Sequence, residues 1–71
     1  MRIGKIQRAI LNWVGNNRIF IGATSERPDS LKGYTLDEIQ PSLNKLIERN
    51  LLISSKHGFY EKSVKGKQLK I

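Results

Sequence analysis

The stretch that most limits the possible folds is residues 35–53, which read TLDEIQPSLNKLIERNLLI. Its apolar residues recur at the spacing of one face of an α-helix, and they are Leu36, Ile39, Leu43, Leu46 and Ile47. Thr35 with Glu38 three residues later has the pattern of a capping box, which predicts where the helix begins. Asn50 lies where a helix stop is expected, directly before the apolar, strand-like residues 51–53. A helix that ends in a short apolar strand needs neighbouring segments to cover both.

Pro41 is the residue that fits this helix least well. Counted from a Thr35 cap, it is the sixth helical position, where proline removes a backbone hydrogen bond and kinks a helix. Two alternatives are open: the helix begins later with Asp37 as its cap, or residues 36–40 form a short helix and Pro41 begins the main one. The unbroken apolar spacing favours a single kinked helix.

A helical pattern and a strand pattern precede this stretch. Residues 2–16 predict an amphipathic helix that ends at Gly15 and the Asn16-Asn17 pair. Its apolar stripe consists of Ile3, Ile6, Ile10, Trp13 and Val14. Because Trp13 lies on that stripe, we expect it to be a core residue. Residues 18–22 are β-branched and aromatic and predict a brief strand.

The segments on either side of the central helix have turn signals. Within the loop-like residues 23–33, the run Pro28-Asp29-Ser30 predicts one helical turn that places Leu31 in the core. After the helix, residues 51–55 and 59–63 predict a β-hairpin with its turn at His57-Gly58. The basic tail that follows predicts either a short helix or irregular chain, because Gly66 weakens a helix.

Charge is the strongest compositional signal. The chain has 13 Lys and Arg against 6 Asp and Glu, a net charge of +7. The positive charge is concentrated towards the two ends, because residues 25–50 contain five of the six acids. Such an excess favours a polyanionic partner, most often nucleic acid. The alternative is that it serves solubility alone.

Length and missing residue types narrow the function classes. A chain of 71 residues allows one domain with a small core, for which dimerisation would bury further apolar surface. With no cysteine, one histidine and no phosphate-binding loop, we expect no enzyme activity, no metal site and no cofactor, and no small-molecule ligand is indicated. The longest apolar runs have three residues and no signal-peptide pattern is present. We therefore expect no membrane span and a cytoplasmic location, associated with the nucleoid if the source is prokaryotic or viral.

Two phrases of the sequence resemble those of the winged helix-turn-helix family. Residues 43–53 resemble the phrase L-x-K-L-x-x-x-G-L-I, in which a helix runs into the first wing strand, with Asn50 in place of the usual Gly. Residues 59–67 resemble the ending Y-x-L-T-x-x-G-K, although Glu61-Lys62-Ser63 departs from the usual Leu-Thr. The resemblance covers roughly residues 3–70, and residues 23–34 depart from it most. It implies an α+β fold over residues 1–71, a small winged helix with a three-helical core and a C-terminal β-hairpin wing.

This resemblance implies sequence-specific binding of double-stranded DNA by a small transcriptional regulator that acts as a homodimer. Helix 36–50 would lie in the major groove and hairpin 51–63 would serve as the wing. On the outward side of the helix, Asn44 can bond adenine, and Lys45 can reach guanine or phosphate. The candidate DNA-binding residues are Ser42, Asn44, Lys45 and Arg49 on the helix, and Arg18, Lys56, His57 and Lys62 around the wing.

Acidic residues on the same helix leave other functions open. Asp37, Glu38 and Glu48 lie among those candidates, and carboxylates beside phosphates weaken binding. The outward side could then be an ordinary solvated helix surface with ion pairs. One alternative function is a winged-helix module that binds another protein. The other is a nucleic-acid-binding component of a phage or plasmid replication or recombination system, with a preference for single strands.

Overall fold

Residues 3–22 and 25–69 are described by a computed structural model. Within these ranges the chain forms three α-helices and a three-stranded antiparallel sheet, so the predicted α+β class is confirmed. The elements are α1 (Lys5–Val14), β1 (Ile19–Phe20), a 3-10 turn (Asp29–Leu31), α2 (Leu36–Glu48), β2 (Leu52–Ser54), a second 3-10 turn (Lys56–Gly58), β3 (Phe59–Lys62) and α3 (Val64–Gln68).

Helix α1 is shorter than the predicted span of residues 2–16. It begins after Gly4, which has no side chain with which to cap the first backbone N–H groups. It ends at Gly15 as predicted, where a φ of 57° is tolerated because glycine has no Cβ. Trp13 is half-buried against the core, in agreement with its predicted role.

Helix α2 begins with the predicted capping box. The Thr35 hydroxyl accepts from the Glu38 backbone N–H at 3.2 Å, and the Glu38 carboxylate accepts from the Thr35 N–H at 2.9 Å. The helix is a single element with Pro41 inside it, so both alternatives for its start are wrong. Its inward face buries Ile39, Leu43 and Leu46 completely, as the apolar spacing predicts.

The end of α2 is a Schellman turn that leads directly into β2. The Leu51 N–H donates to the Leu46 carbonyl at 2.9 Å, and the Asn50 N–H donates to the Ile47 carbonyl at 3.0 Å. Asn50 has a φ of 61°, the left-handed conformation expected at this helix stop. Leu51 is fully buried, so the turn also anchors the start of the hairpin.

The sheet has the strand order β1-β3-β2, so β1 pairs with β3 and not with the strand that follows α2. Ile19 lies opposite Tyr60 and Phe20 lies opposite Phe59 in the antiparallel register. The hairpin turn is where it was predicted, with positive φ values at His57 and Gly58. One face of the sheet covers the core, and the other is the outer face that carries Phe20, Ile53, Phe59 and Glu61.

The helical content differs from the predicted three-helical core. Between β1 and α2 the described residues form only the 3-10 turn Asp29–Leu31, which buries Leu31 as predicted but is too short to be a second helix. The third α-helix is α3, which follows the hairpin, so the hairpin is not the last element. Ser63 caps α3 by accepting from the Gly66 N–H at 3.0 Å.

A single cluster of apolar side chains joins these elements. Its fully buried members come from α1, the 3-10 turn, α2 and the turn that leads into β2, and they include Ile10, Leu31, Leu43 and Leu51. Within residues 3–22 and 25–69, none of the helices has the length and apolar character needed to cross a membrane.

Candidate nucleic-acid interface

The exposed side of α2 carries two of the candidate base-contacting residues, Asn44 and Lys45. The Asn44 side-chain oxygen accepts from the Gln40 amide at 3.3 Å, and the Lys45 ammonium lies 3.9 Å from the Glu48 carboxylate. Exposed pairs of this kind contribute about 0.5 kcal/mol or less, so a stronger ligand can replace them at small cost. Both side chains can therefore turn towards a partner.

The other two candidates, Ser42 on α2 and Arg49 at the C-terminal cap of the helix, are half-buried. They are two helical turns apart and so share one flank of the helix, on the side of α1. There the Arg49 guanidinium donates to the side-chain oxygen of Gln7 at 3.4 Å. Asn44 lies on the other flank, so the four predicted helix residues occupy two flanks with Lys45 between them.

The hairpin turn and the residue before β1 form a basic corner, which is defined here as Arg18, Lys56 and His57. All three are exposed. They line one open cavity of about 550 Å³ together with Ser54, Ser55 and Phe59. Arg18 reaches the turn because β1 pairs with β3, and its guanidinium carbon lies 5.9 Å from the centre of the Phe59 ring.

Lys62 is not part of the basic corner. It ends β3, opposite Leu52, whereas the turn lies at the other end of the same strand. Lys62 lies three positions after Phe59 along the extended strand, a distance of roughly 10 Å. The fold therefore brings together three of the four candidates around the hairpin and separates the fourth.

Two of the three acids on α2 are explained by the way the helix begins. Glu38 belongs to the capping box, and both Glu38 and Asp37 lie in the first turn, where negative charge is favoured by the helix dipole. Asp37 and Glu48 remain exposed on the same side of the helix as Lys45. The outward surface of α2 is consequently of mixed charge, whereas none of the acids within residues 3–22 and 25–69 lines the cavity at the basic corner.

Two aromatic residues beside the basic corner were not identified as candidates from the sequence. Phe20 and Phe59 are exposed by 41% and 38%, and their ring centres are 5.7 Å apart. The alternation of residues along a strand could have predicted that Phe20 is exposed, because Phe20 lies between Ile19 and Ile21, which both face inward. The pairing of Phe20 with Phe59 depends on the strand order, which no local pattern specifies.

Comparison of the chain with family models, with curated proteins and with solved structures found no match. Any functional assignment therefore depends on the residues and contacts described above.

Proposed function

We propose that this chain is a small winged-helix protein that binds double-stranded DNA and acts as a transcriptional regulator. In this proposal α2 enters the major groove and the β2–β3 hairpin is the wing. The observation that carries it is the connection between the two parts. A helix with exposed Asn44 and Lys45 passes through one Schellman turn into a hairpin whose tip supplies Lys56 and His57 of the basic corner.

The α2 surface is suited to a groove for steric and chemical reasons. A major groove about 12 Å wide admits one helix, and α2 is long enough to lie in it. The Asn44 amide can bond the edge of adenine, while Lys45 can bond guanine or a phosphate once its exposed contact with Glu48 is released. Ser42 and Arg49, on the α1 flank, would face the sugar-phosphate backbone of the DNA beside the groove.

The basic corner would supply the part of the affinity that does not depend on base sequence. Arg18 and Lys56 can neutralise phosphates and release condensed counterions, and the imidazole of His57 can donate to a phosphate oxygen. The net charge of +7 supports the same partner. Because one such module covers few base pairs, we propose that two copies bind a two-fold symmetric site.

The experiment is a titration of labelled duplex DNA of random sequence, followed by fluorescence anisotropy at several salt concentrations. We expect binding that weakens steeply between about 50 and 200 mM salt. Lys45→Glu should weaken it by about tenfold, the size of one lost base or phosphate contact.

Lys32→Glu is the matched control for this substitution. Lys32 and Lys45 each belong to an i,i+3 ion pair and their side chains are both 62% exposed, so the two variants change charge in the same way. A reduction of affinity that is equal in the two variants would mean that α2 does not contact DNA. Absence of duplex binding at low salt would refute the proposal as a whole.

A second candidate function is docking of another protein, and the acids on α2 favour it. Asp37 and Glu48 are exposed beside Lys45; carboxylates repel the phosphates of DNA, whereas a protein partner of complementary charge can pair with all three. This candidate predicts that Lys45→Glu leaves duplex affinity unchanged and abolishes capture of the partner. The titration above therefore separates the two functions.

A further inference from the structure

The outer face of the sheet is unusual because it exposes two aromatic side chains side by side. Phe20 and Phe59 lie directly opposite each other in the β1–β3 register, so their rings share this face. The rings meet edge to face at 63°. The inward face already covers the core through Ile19, Leu52 and Tyr60, so the outer aromatics are not needed to close it.

The Phe20 ring is held in place by its surroundings. A Cβ atom at Gly22 would lie 2.5 Å from the ring, and one at Gly58 would lie 3.0 Å from it, so both positions leave room for the phenyl group. The backbone beneath it is fixed as well. The Ile21 N–H donates to the Gly58 carbonyl at 3.0 Å, and the Ser25 hydroxyl donates to the Phe20 carbonyl at 2.8 Å. An exposed ring that is fixed in this way is prepared for stacking.

Positive charge adjoins the aromatic pair on one side. Arg18 lies over the Phe59 ring, and Phe59 lines the same cavity as Lys56 and His57. The acid of the outer face is Glu61, which pairs with Ile53 further along the sheet and does not line this cavity. A ligand that fits this surface is therefore anionic where it lies beside Phe59, and flat and apolar where it lies over the rings.

We propose that this aromatic platform, formed by Phe20 and Phe59 with the basic corner, binds single-stranded DNA. Unpaired bases would stack on each ring separately, because the two rings meet at 63° and do not form one plane, with the Arg18 guanidinium beside Phe59. The phosphates would lie at Lys56 and His57. A duplex cannot satisfy the platform, because its bases are already stacked on each other and paired. The geometry of the sheet alone supports the stacking site, whereas its assignment to DNA and not RNA rests on the proposed function.

The test uses the full chain and fluorescein-labelled oligo(dT) of about 12 nucleotides, a length within the range of known single-strand sites. Phe20→Leu and Phe59→Leu keep an apolar side chain but remove the aromatic face. We expect each to weaken oligo(dT) binding by about tenfold, the effect of one lost base–aromatic stack. Val64→Ala is the control, because Val64 is an exposed apolar residue of α3 outside the platform, and it should bind as the wild type does.

An NMR titration of the wild-type chain tests the same site without any substitution. Oligo(dT) should shift the ring resonances of Phe20 and Phe59 and leave those of Trp13, in α1, in place. Stationary phenylalanine resonances would overturn the proposal, as would leucine variants that bind like the Val64→Ala control. Equal or tighter binding of oligo(U) would overturn the assignment to DNA.

The duplex titration keeps this proposal distinct from the proposed function. Absence of duplex binding with retained, phenylalanine-dependent oligo(dT) binding would refute the proposed function and leave the platform in place. Duplex binding without oligo(dT) binding would refute only the platform.

Discussion

At the scale of single residues, Gly66 is the position with the least tolerance of a side chain. A Cβ atom there would lie 2.1 Å from the carbonyl oxygen of Leu51, a backbone atom that is fixed by the end of α2. The same carbonyl accepts from the Ser63 N–H at 3.1 Å, and the Ser63 hydroxyl donates to the Asn50 carbonyl. The glycine therefore allows α3 to pack directly on the link between α2 and the hairpin.

Gly66→Ala should lower the free energy of unfolding by about 3 kcal/mol, the upper end of the cost of overpacking, because the backbone has to move. Gly33→Ala is the matched control, since a Cβ at Gly33 would meet no atom within 4 Å. Urea denaturation of the two variants measures the difference. Equal stability of the two would show that α3 does not pack on Leu51 in solution.

Asn50 is the second residue whose backbone conformation restricts substitution. Its φ of 61° costs about 1 kcal/mol or more for alanine and little for glycine. We therefore expect Asn50→Ala to be destabilised by about that amount and Asn50→Gly to stay within a few tenths of a kcal/mol of the wild type. Asn16→Ala is the control, as Asn16 has no positive φ. Thermal unfolding followed by circular dichroism would contradict this if alanine and glycine behaved alike at position 50.

At the scale of elements, Pro41 is a destabilising residue inside an otherwise well-specified helix. It is exposed, and it cannot donate the backbone hydrogen bond that its position in α2 calls for. Pro41→Ala should raise the free energy of unfolding by about 2 kcal/mol, after allowance for the greater freedom of the unfolded chain. Urea denaturation checks this, with Lys45→Ala as an exposed control in the same helix. A value unchanged from the wild type would mean that α2 already compensates for the proline.

Local signals in the sequence were sufficient for most individual elements. The capping box and apolar spacing predicted α2, Asn50 predicted its end, and Pro28 predicted the turn that buries Leu31. Each of these signals acts between residues a few positions apart, where side-chain type and backbone geometry are directly linked. Helix α1 was predicted to start too early because the apolar spacing continues on both sides of Gly4, although the helix begins only after this glycine.

Contacts between distant parts of the chain could not be predicted in the same way. The pairing of β1 with β3 brings Arg18 and Phe20 to Phe59, and Arg49 meets Gln7 although 42 residues separate them. Such contacts depend on how elements pack, and the local pattern is compatible with several strand orders. The separation of Lys62 from the hairpin turn, in contrast, could have been predicted from the sequence. Hairpin geometry alone places the end of β3 away from the turn.

At the scale of the whole molecule, the two proposed surfaces share the basic corner. The wing proposal assigns Arg18, Lys56 and His57 to duplex phosphates, and the platform proposal assigns them to a single strand. The outward side of α2 and the aromatic rings belong to one proposal each. In these two proposals each ligand is recognised by its own set of residues, and both ligands contact the basic corner.

This arrangement predicts competition between duplex and single-stranded DNA. Because the basic corner can neutralise only one phosphate chain at a time, unlabelled oligo(dT) should displace a labelled duplex. Lys56→Glu should weaken both ligands by about tenfold, whereas Lys45→Glu should weaken the duplex alone and Phe59→Leu the single strand alone. Anisotropy titrations of each variant with both labelled ligands measure the pattern. Simultaneous binding of the two ligands, or a Lys56→Glu effect on only one of them, would show that the basic corner is not shared.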